Sequence, residues 1–392
     1  MASKNSLGKV GRLAVVSQVF TPGAPVDSYR LFAGRFDQVL DTVSAINQRG
    51  QHVVLYGERG VGKTSLANVM AEILMEQNVH LAVVMVNCAV ADDFGAMWGN
   101  VFERLDVKGG VEMSPEGIRS VLEKLTTRTL IVIDEVDRLH DRDAFSQLAD
   151  TIKTLSDHSV VATLLLVGVA DSVDDLIGEH QSIERALTQV LMPRMSIEEL
   201  MEIVDKGLDQ LHMTIQPTAK TRIARLSEGL PSYTHLLALH ATQWAIADDR
   251  TEVGSNDVER AVNAAVQKAQ QSIKSAYQKA TRSPRPDNLF AHVLTACALA
   301  RKDDLGYFSA GAVRKPMKLI TQRSYDIPAF APHLKAFTTP ERASVLKRAG
   351  ERRRYFYRFE NPMLQPYVIL TALSKGLLTE SELDEIATNP SL

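Results

Sequence analysis

The sequence predicts an α/β protein: a parallel sheet sandwiched by helices, then a helical region, then a smaller module of helices and a hairpin. Three observations predict it. Unbroken apolar runs at 81–86, 130–133 and 163–168 alternate with helical patterns, as strands of a parallel sheet covered on both faces do. A glycine-rich stretch, Gly57–Ser65, joins a further apolar run, His52–Tyr56, to a helical pattern. Beyond Met195 such runs stop, and the charge balance changes.

The 392 residues suffice for two or three domains with a sizeable core. Hydrophobic and charged fractions of 45% and 23% are ordinary for a globular chain. Cys88 and Cys297 form no ligand pattern, which points to a reducing, cytoplasmic setting. No apolar run is long enough to cross a bilayer, and Leu13–Val16 is too short for a signal peptide, so no membrane partner is expected. The histidines have no metal-ligand spacing. No nuclease, protease or deaminase signature is visible, so effector chemistry of that kind would need another chain. The net charge of −3 hides an asymmetry. Residues 284–358 hold 15 Lys and Arg against 6 Asp and Glu, whereas the tail from Phe359 holds 1 against 5. An acidic body joined to a basic module points to nucleic acid for that module.

In chain order, residues 1–30 read as an irregular lead-in with a turn at Thr21–Pro25. A helical pattern runs from Phe36 to about Asn47. The strand His52–Tyr56 then delivers Gly57-Glu58-Arg59-Gly60-Val61-Gly62-Lys63-Thr64-Ser65, which matches G-x-x-x-x-G-K-[ST] at every fixed position. The glycines allow a tight turn, so that successive N–H groups point at phosphate oxygens. Lys63 would reach the β and γ phosphates, Thr64 would place its hydroxyl on Mg²⁺, and the helix N-terminus that follows favours anions. ATP and Mg²⁺ are therefore the expected ligands. Residues 92–126 read as helical with a break at Gly109-Gly110. The strand 130–133 ends on Asp134 and Glu135, a carboxylate for the metal and a base for the attacking water.

Ser196 with Glu199 three residues later is a capping box. It opens the first of the helices expected at about 196–212, 217–228, 231–248 and 255–280. Residues 281–287 read as a linker. Then come a helix at 288–301, a strand at 306–309, helices at 310–323 and 328–337, and strand-like runs at 343–346 and 354–359. That is the order of a winged helix-turn-helix, and a helix from Met363 to about Leu378 closes the chain. The expected division is a lead-in at 1–30, a phosphate-binding core at 31–195, an α-helical lid at 196–283 and a winged-helix domain at 284–392. Trp98 and Trp244 are read as core residues.

This constellation resembles the AAA+ class of P-loop ATPases. It is most similar to the origin-recognition and Cdc-type initiator branch and to the related STAND signalling ATPases. The resemblance covers about 31–279. Phe32-Ala33-Gly34-Arg35 matches the lead-in that holds the adenine in this group, which assigns Gly34 and Arg35 to the nucleotide. Asp134-Glu135-Val136-Asp137-Arg138-Leu139 resembles the initiator form of the Walker B segment. The strand 164–168 stands where the sensor 1 strand belongs. An Asn or Thr is usual just after it; here the candidates are Asp171 and Ser172. The segment 182–186 lies where the branch carries its arginine finger. The resemblance thus implies that Arg185, with Arg194 in reserve, reaches the γ-phosphate held by a neighbouring subunit. The other reading of Arg185 is a surface arginine paired with Glu184 or Glu179. The lid departs from the AAA+ pattern, because no Arg stands in the sensor 2 position. Gly229-Leu230-Pro231 instead resembles the G-x-P motif of STAND ATPases, whose proline lies against the adenine. One cation fewer on the phosphates favours a slow switch over a fast motor.

Lys347, Arg348, Arg352, Arg353 and Arg354 cluster on the expected hairpin, with Tyr355 and Tyr357 interleaved. Such cations suit the phosphates or the minor groove of duplex DNA; the other reading is a solvated basic face, or a module that packs against the ATPase domain or a protein partner. Arg314, Lys315 and Lys318 fall on the second helix of the module, and His333 and Lys335 on the third, which is too apolar for base reading. Two functions follow. One is an ATP-hydrolysing switch that oligomerises with nucleotide and engages duplex DNA. The other is a signalling or scaffolding ATPase, as in a bacterial defence or mobile-element system, whose nucleotide state controls assembly with a separate effector protein. DNA-stimulated hydrolysis separates them.

Overall fold

The computed structural model describes residues 2–77, 81–139, 142–170, 181–285, 288–351 and 354–388. The chain divides into two compact units, Ala24–Pro193 and Arg194–Leu392 together with Met1–Gly23.

The first unit is built on five strands: β1 (His52–Gly57), β2 (Leu81–Asn87), β3 (Arg128–Asp134), β4 (Ala162–Val169) and β5 (Leu187–Leu191). Their order is β2-β3-β4-β1-β5, and every neighbouring pair is parallel. Consecutive residues Val53, Val54 and Leu55 are all fully buried, so both faces of the sheet are covered, as the unbroken apolar runs require. Helices α2 (Phe36–Asn47), α3 (Lys63–Gln77), α4 (Phe94–Arg104), α5 (Pro115–Leu122) and α6 (Arg142–Asp157) supply the cover. In α4, Phe94, Met97, Trp98, Val101 and Phe102 recur at helical spacing and all are buried. Asp93 starts that helix by accepting from the Ala96 N–H, and Ser114 caps α5 in the same way through Gly117. The Gly109-Gly110 break lies between them. Trp98 is wholly buried in this core.

The second unit corrects the sequence reading in several places. Residues 2–19 are not irregular but form helix α1 (Ala2–Val19). Its two glycines argue against a helix locally, yet Val16, Val19 and Phe20 are buried, and tertiary packing decides. Phe20 lies where a Cβ on Gly207 would stand 2.4 Å from its ring, so only glycine admits that approach. The Thr21 N–H donates to Nδ1 of His235 (3.3 Å), whose ring meets Phe20 edge-on.

Helices α7 (Ile197–Gln210), α8 (Pro217–Leu226), α9 (Pro231–Ala247), α10 (Ser255–Lys268) and α11 (Gln271–Thr281) follow, α7 with both hydrogen bonds of its capping box. The single helix expected over 255–280 is interrupted where Ala269 and Gln270 take extended ψ values of 148° and 142°. Between the helices expected over 196–280, two short strands that the sequence reading does not include, β6 (Thr214–Ile215) and β7 (Glu252–Val253), pair in parallel. Trp244 is only half-buried, and the Arg260 guanidinium lies 3.8 Å from its ring centroid. The C-terminal part runs α12 (Phe290–Leu299), β8 (Phe308–Ser309), α13 (Arg314–Thr321), α14 (Ile327–Phe337), β9 (Leu346–Ala349), β10 (Phe356–Phe359), α15 (Leu364–Ser374) and α16 (Glu380–Thr388). Its three strands form an antiparallel sheet ordered β8-β10-β9. The first hairpin strand begins three residues later than expected, because Ala343 and Ser344 hold positive φ (61° and 43°) in a turn.

Candidate functional site

The site begins where β1 ends. Gly57 has φ 141°, and a Cβ there would stand 2.5 Å from the Met192 carbonyl oxygen, so the strand can leave the sheet only on glycine. Gly60 and Gly62 also hold positive φ, and α3 starts at Lys63. The Lys63 ammonium is buried and donates to the carbonyls of Gly57 (3.0 Å) and Glu58 (2.9 Å). Burial pulls its pKa down to about 8 against the opposing pull of the Asp137, Asp134 and Glu58 carboxylates. It is a preplaced cation whose present bonds are to carbonyls of the loop itself, which a phosphate can replace.

Thr64 and Asp134 are brought together across a 70-residue separation: the Thr64 hydroxyl donates to Asp134 Oδ2 at 2.7 Å. Strand β3 delivers Asp134, and its other oxygen accepts from the Glu135 N–H at 2.7 Å. The Cys88 N–H donates to the Asp134 carbonyl (2.9 Å), which ties the end of β2 to the same point. A hydroxyl and one carboxylate at a phosphate-binding loop are what Mg²⁺ needs from protein when nucleotide phosphates and water complete its shell. The donor set therefore fits a magnesium nucleotide. Among the described residues no cluster of three His, Cys, Asp or Glu could hold a metal ion.

Glu135 sits in the left-handed region (φ 58°), and its carboxylate is half-exposed and paired with Arg138 at 2.9 Å. Asp137 accepts from the Val169 N–H at 2.8 Å, which links the turn after β3 to the end of β4. Sequence reasoning places Asp137 and Arg138 within the Walker B segment but gives them no role; their (i, i+2) and (i, i+3) offsets from Glu135 are the available signal. Arg35, also at positive φ (64°), is buried, and its guanidinium donates to the carbonyls of Val61 (2.8 Å) and Pro193 (2.6 Å). The arginine after Gly34 thus braces the phosphate loop against the last residue of its own unit. Ser65 Oγ accepts from the Val26 N–H (3.0 Å), Glu58 is buried and Arg59 is exposed.

Other residues singled out in the sequence stand elsewhere. Arg185 is 76% exposed and pairs with Asp157 at 2.7 Å, neither of the two acids expected from sequence. Asp171 and Ser172 lie outside the described residues, as do Arg352 and Arg353. Pro231 is the first residue of α9, in the second unit, and shares a turn with Gly229 at φ 78°. Arg194 donates to the Glu228 carbonyl (3.0 Å) and to Gln365 Oε1 (2.7 Å), so it is held within its own unit. Lys347, Arg348 and Arg354 are exposed on or beside the β9–β10 hairpin, Arg348 stacked on Tyr355 at 4.3 Å. Arg314 pairs with Asp326, and His333 packs edge-on against Phe290 at 4.7 Å rather than standing clear of the module.

Residues 46–177 match the family described as AAA domain. The ORC1-type DNA replication protein 2 of Thermoplasma acidophilum is 22% identical over 213 residues, 51% of this chain and 50% of that protein. The chain spans about half the length of such ORC1-type relatives. The Aeropyrum pernix ORC2 protein, solved as ADPNP–ADP complexes, superposes with a TM-score of 0.52 at 15% identity, covering 95% of this chain and 98% of that one. A Walker-type ATPase of Pyrococcus abyssi gives the same TM-score at 13% identity, covering 89% and 99%. Fold, loop and matches together define a nucleotide-binding P-loop AAA+ protein. Within that class its similarity is to proteins of the ORC1 type.

Proposed function

We propose that this chain is an ATP-binding and slowly ATP-hydrolysing switch that assembles with nucleotide and engages duplex DNA through its C-terminal module. The observation that carries the reading is the 2.7 Å bond between Thr64 and Asp134 beside a buried Lys63. It joins the phosphate loop to the acidic end of β3, as a nucleotide with its metal requires. The loop N–H groups from Gly57 to Ser65 cradle the phosphates, and Lys63 exchanges its two carbonyl partners for phosphate oxygens. Thr64 and Asp134 would hold Mg²⁺, which would supply positive charge against the phosphates. Glu135, once released from Arg138, accepts a proton from the attacking water. Arg185 of a neighbouring copy, freed from Asp157, supplies a second charge at the γ-phosphate. Gly34 and Arg35 border the base.

The order helix, strand, helix, helix, hairpin from α12 to β10 supports a winged helix over 284–392 beyond a lid at 196–283. The basic balance of 284–358 and the ORC1-type relatives, named as DNA replication proteins, support duplex DNA as its ligand. Replacing Arg352, Arg353 and Arg354 together by Ala should weaken duplex binding equally for unrelated sequences, because phosphates carry no sequence. The log–log salt slope should become shallower by roughly 0.9 for each phosphate no longer neutralised, with ATP affinity unchanged. Salt-insensitive or undiminished binding by the triple variant would remove DNA from the proposal. The turn Gly229-Leu230-Pro231 at the start of α9, a helix without arginine, favours a second reading: a signalling switch that assembles with a separate effector protein. DNA that leaves turnover unchanged would favour that reading.

A further inference from the structure

The outer face of the small antiparallel sheet carries an arrangement that phosphate contact alone does not use. In β10, Tyr357 and Phe359 are buried while Phe356 is 46% exposed, so the strand turns one aromatic ring outward. The register places Phe356 between Ala349 of β9 and Ser309 of β8. One step along, on the same face, Arg358 lies directly opposite Lys347. The Arg358 guanidinium also lies over the Tyr307 ring, 4.8 Å from its centroid. Two cations thus stand side by side across the ladder, on the face that carries Phe356. An exposed ring beside such a pair matches one kind of ligand, a flat apolar base joined to phosphate. In a duplex the bases are stacked on one another and their faces are covered. A free base face is found in a single strand.

We propose that this face is a stacking platform for an unpaired base of single-stranded DNA, with Phe356 beneath the base and Lys347 and Arg358 on the flanking phosphates. The proposal shares the C-terminal module with the duplex-binding reading but rests on a different residue, Phe356. Single-strand affinity and duplex affinity are therefore measured separately. The full chain is titrated, at low and moderate salt, into a labelled mixed-sequence single strand and into a blunt duplex of equal length.

The expected result is that Phe356→Ala weakens single-strand binding about tenfold, close to 1.4 kcal/mol, and leaves duplex binding within about twofold. Phe356→Trp should keep single-strand affinity, and its added emission should be quenched by the single strand and not by the duplex. Because Phe356 is already half in solvent, both variants should melt with the wild type. Single-strand binding in a protein that ignores duplex supports the platform and sinks the duplex reading alone. The platform is overturned if wild type binds no single strand. It is equally overturned if Phe356→Ala binds single strands as tightly as wild type, or if duplex affinity falls as far as single-strand affinity.

Discussion

The nucleotide site of the first unit and the C-terminal module of the second hold their charged residues in opposite ways. In 24–193, Lys63, Asp134 and Arg35 are buried, and each is fixed by bonds to backbone or to another site residue. In the C-terminal module, Lys347, Arg348 and Arg354 are exposed, and Arg348 lies over the ring of Tyr355. Burial makes an unpartnered polar group costly, so a motif that fixes residue spacing there also fixes much of the geometry. An exposed basic patch sets a field and little else. The first region should therefore respond to single atoms, and the second to total charge and salt.

The sharpest way to break that comparison is Lys63→Ala. Loss of a buried cation that reaches two phosphates should reduce triphosphate affinity by about 100-fold or more and turnover with it. Calorimetry on the folded variant measures this, and wild-type affinity would contradict the loop assignment. Next comes Arg185, where an exposed residue is claimed for catalysis. Arg185→Ala should keep nucleotide affinity and lose turnover by about 10³-fold. Mixing it with Glu135→Gln should restore activity, because a mixed interface unites one intact Glu135 with one intact Arg185. Failure to rescue, in a protein that stays monomeric with ATP, would leave Arg185 as the surface partner of Asp157. Glu135→Gln alone should lower turnover by about 10² with affinity retained. If assembly follows ATP, that variant should accumulate the assembled state.

A further effect, on stability and not on turnover, concerns one histidine in each unit. Burial depresses the pKa of His52 and of His235 from 6.5 to about 4. The unfolded chain therefore binds more protons than the folded one between these values, so stability is lost as pH falls from 6.5 toward 4. Each histidine costs up to about 3 kcal/mol over that window. His235→Gln keeps an acceptor for the Thr21 N–H and should flatten the fall in melting temperature. A melting temperature constant over this range would contradict the burial argument.

Much of the first unit is legible in the sequence because its signals are chemical. The run Gly57–Ser65 demands a tight turn, and apolar strands demand cover. The elements that sequence reasoning misses lack such a signal. Strand β5 is five residues at a sheet edge, and Arg185 finds Asp157 only through the fold. Helix α1 contains Gly8 and Gly11 and becomes helical where Val16, Val19 and Phe20 are buried, a long-range effect that local propensity opposes. In the hairpin, the positive φ of Ala343 and Ser344 moves the start of β9 by three residues, and nothing in those two residue types foretells it. The Lys63, Thr64 and Asp134 constellation needs only the motif and one strand, whereas the outward ring of Phe356 needs the register.

The central claim joins nucleotide chemistry in one unit to DNA in the other. It is tested most directly by the rate of ATP hydrolysis of the full chain with and without duplex DNA. The account predicts a slow basal rate, raised by duplex DNA at low salt, with the rise lost when Arg352, Arg353 and Arg354 are replaced together. A rate that duplex DNA leaves unchanged at every salt concentration would contradict it.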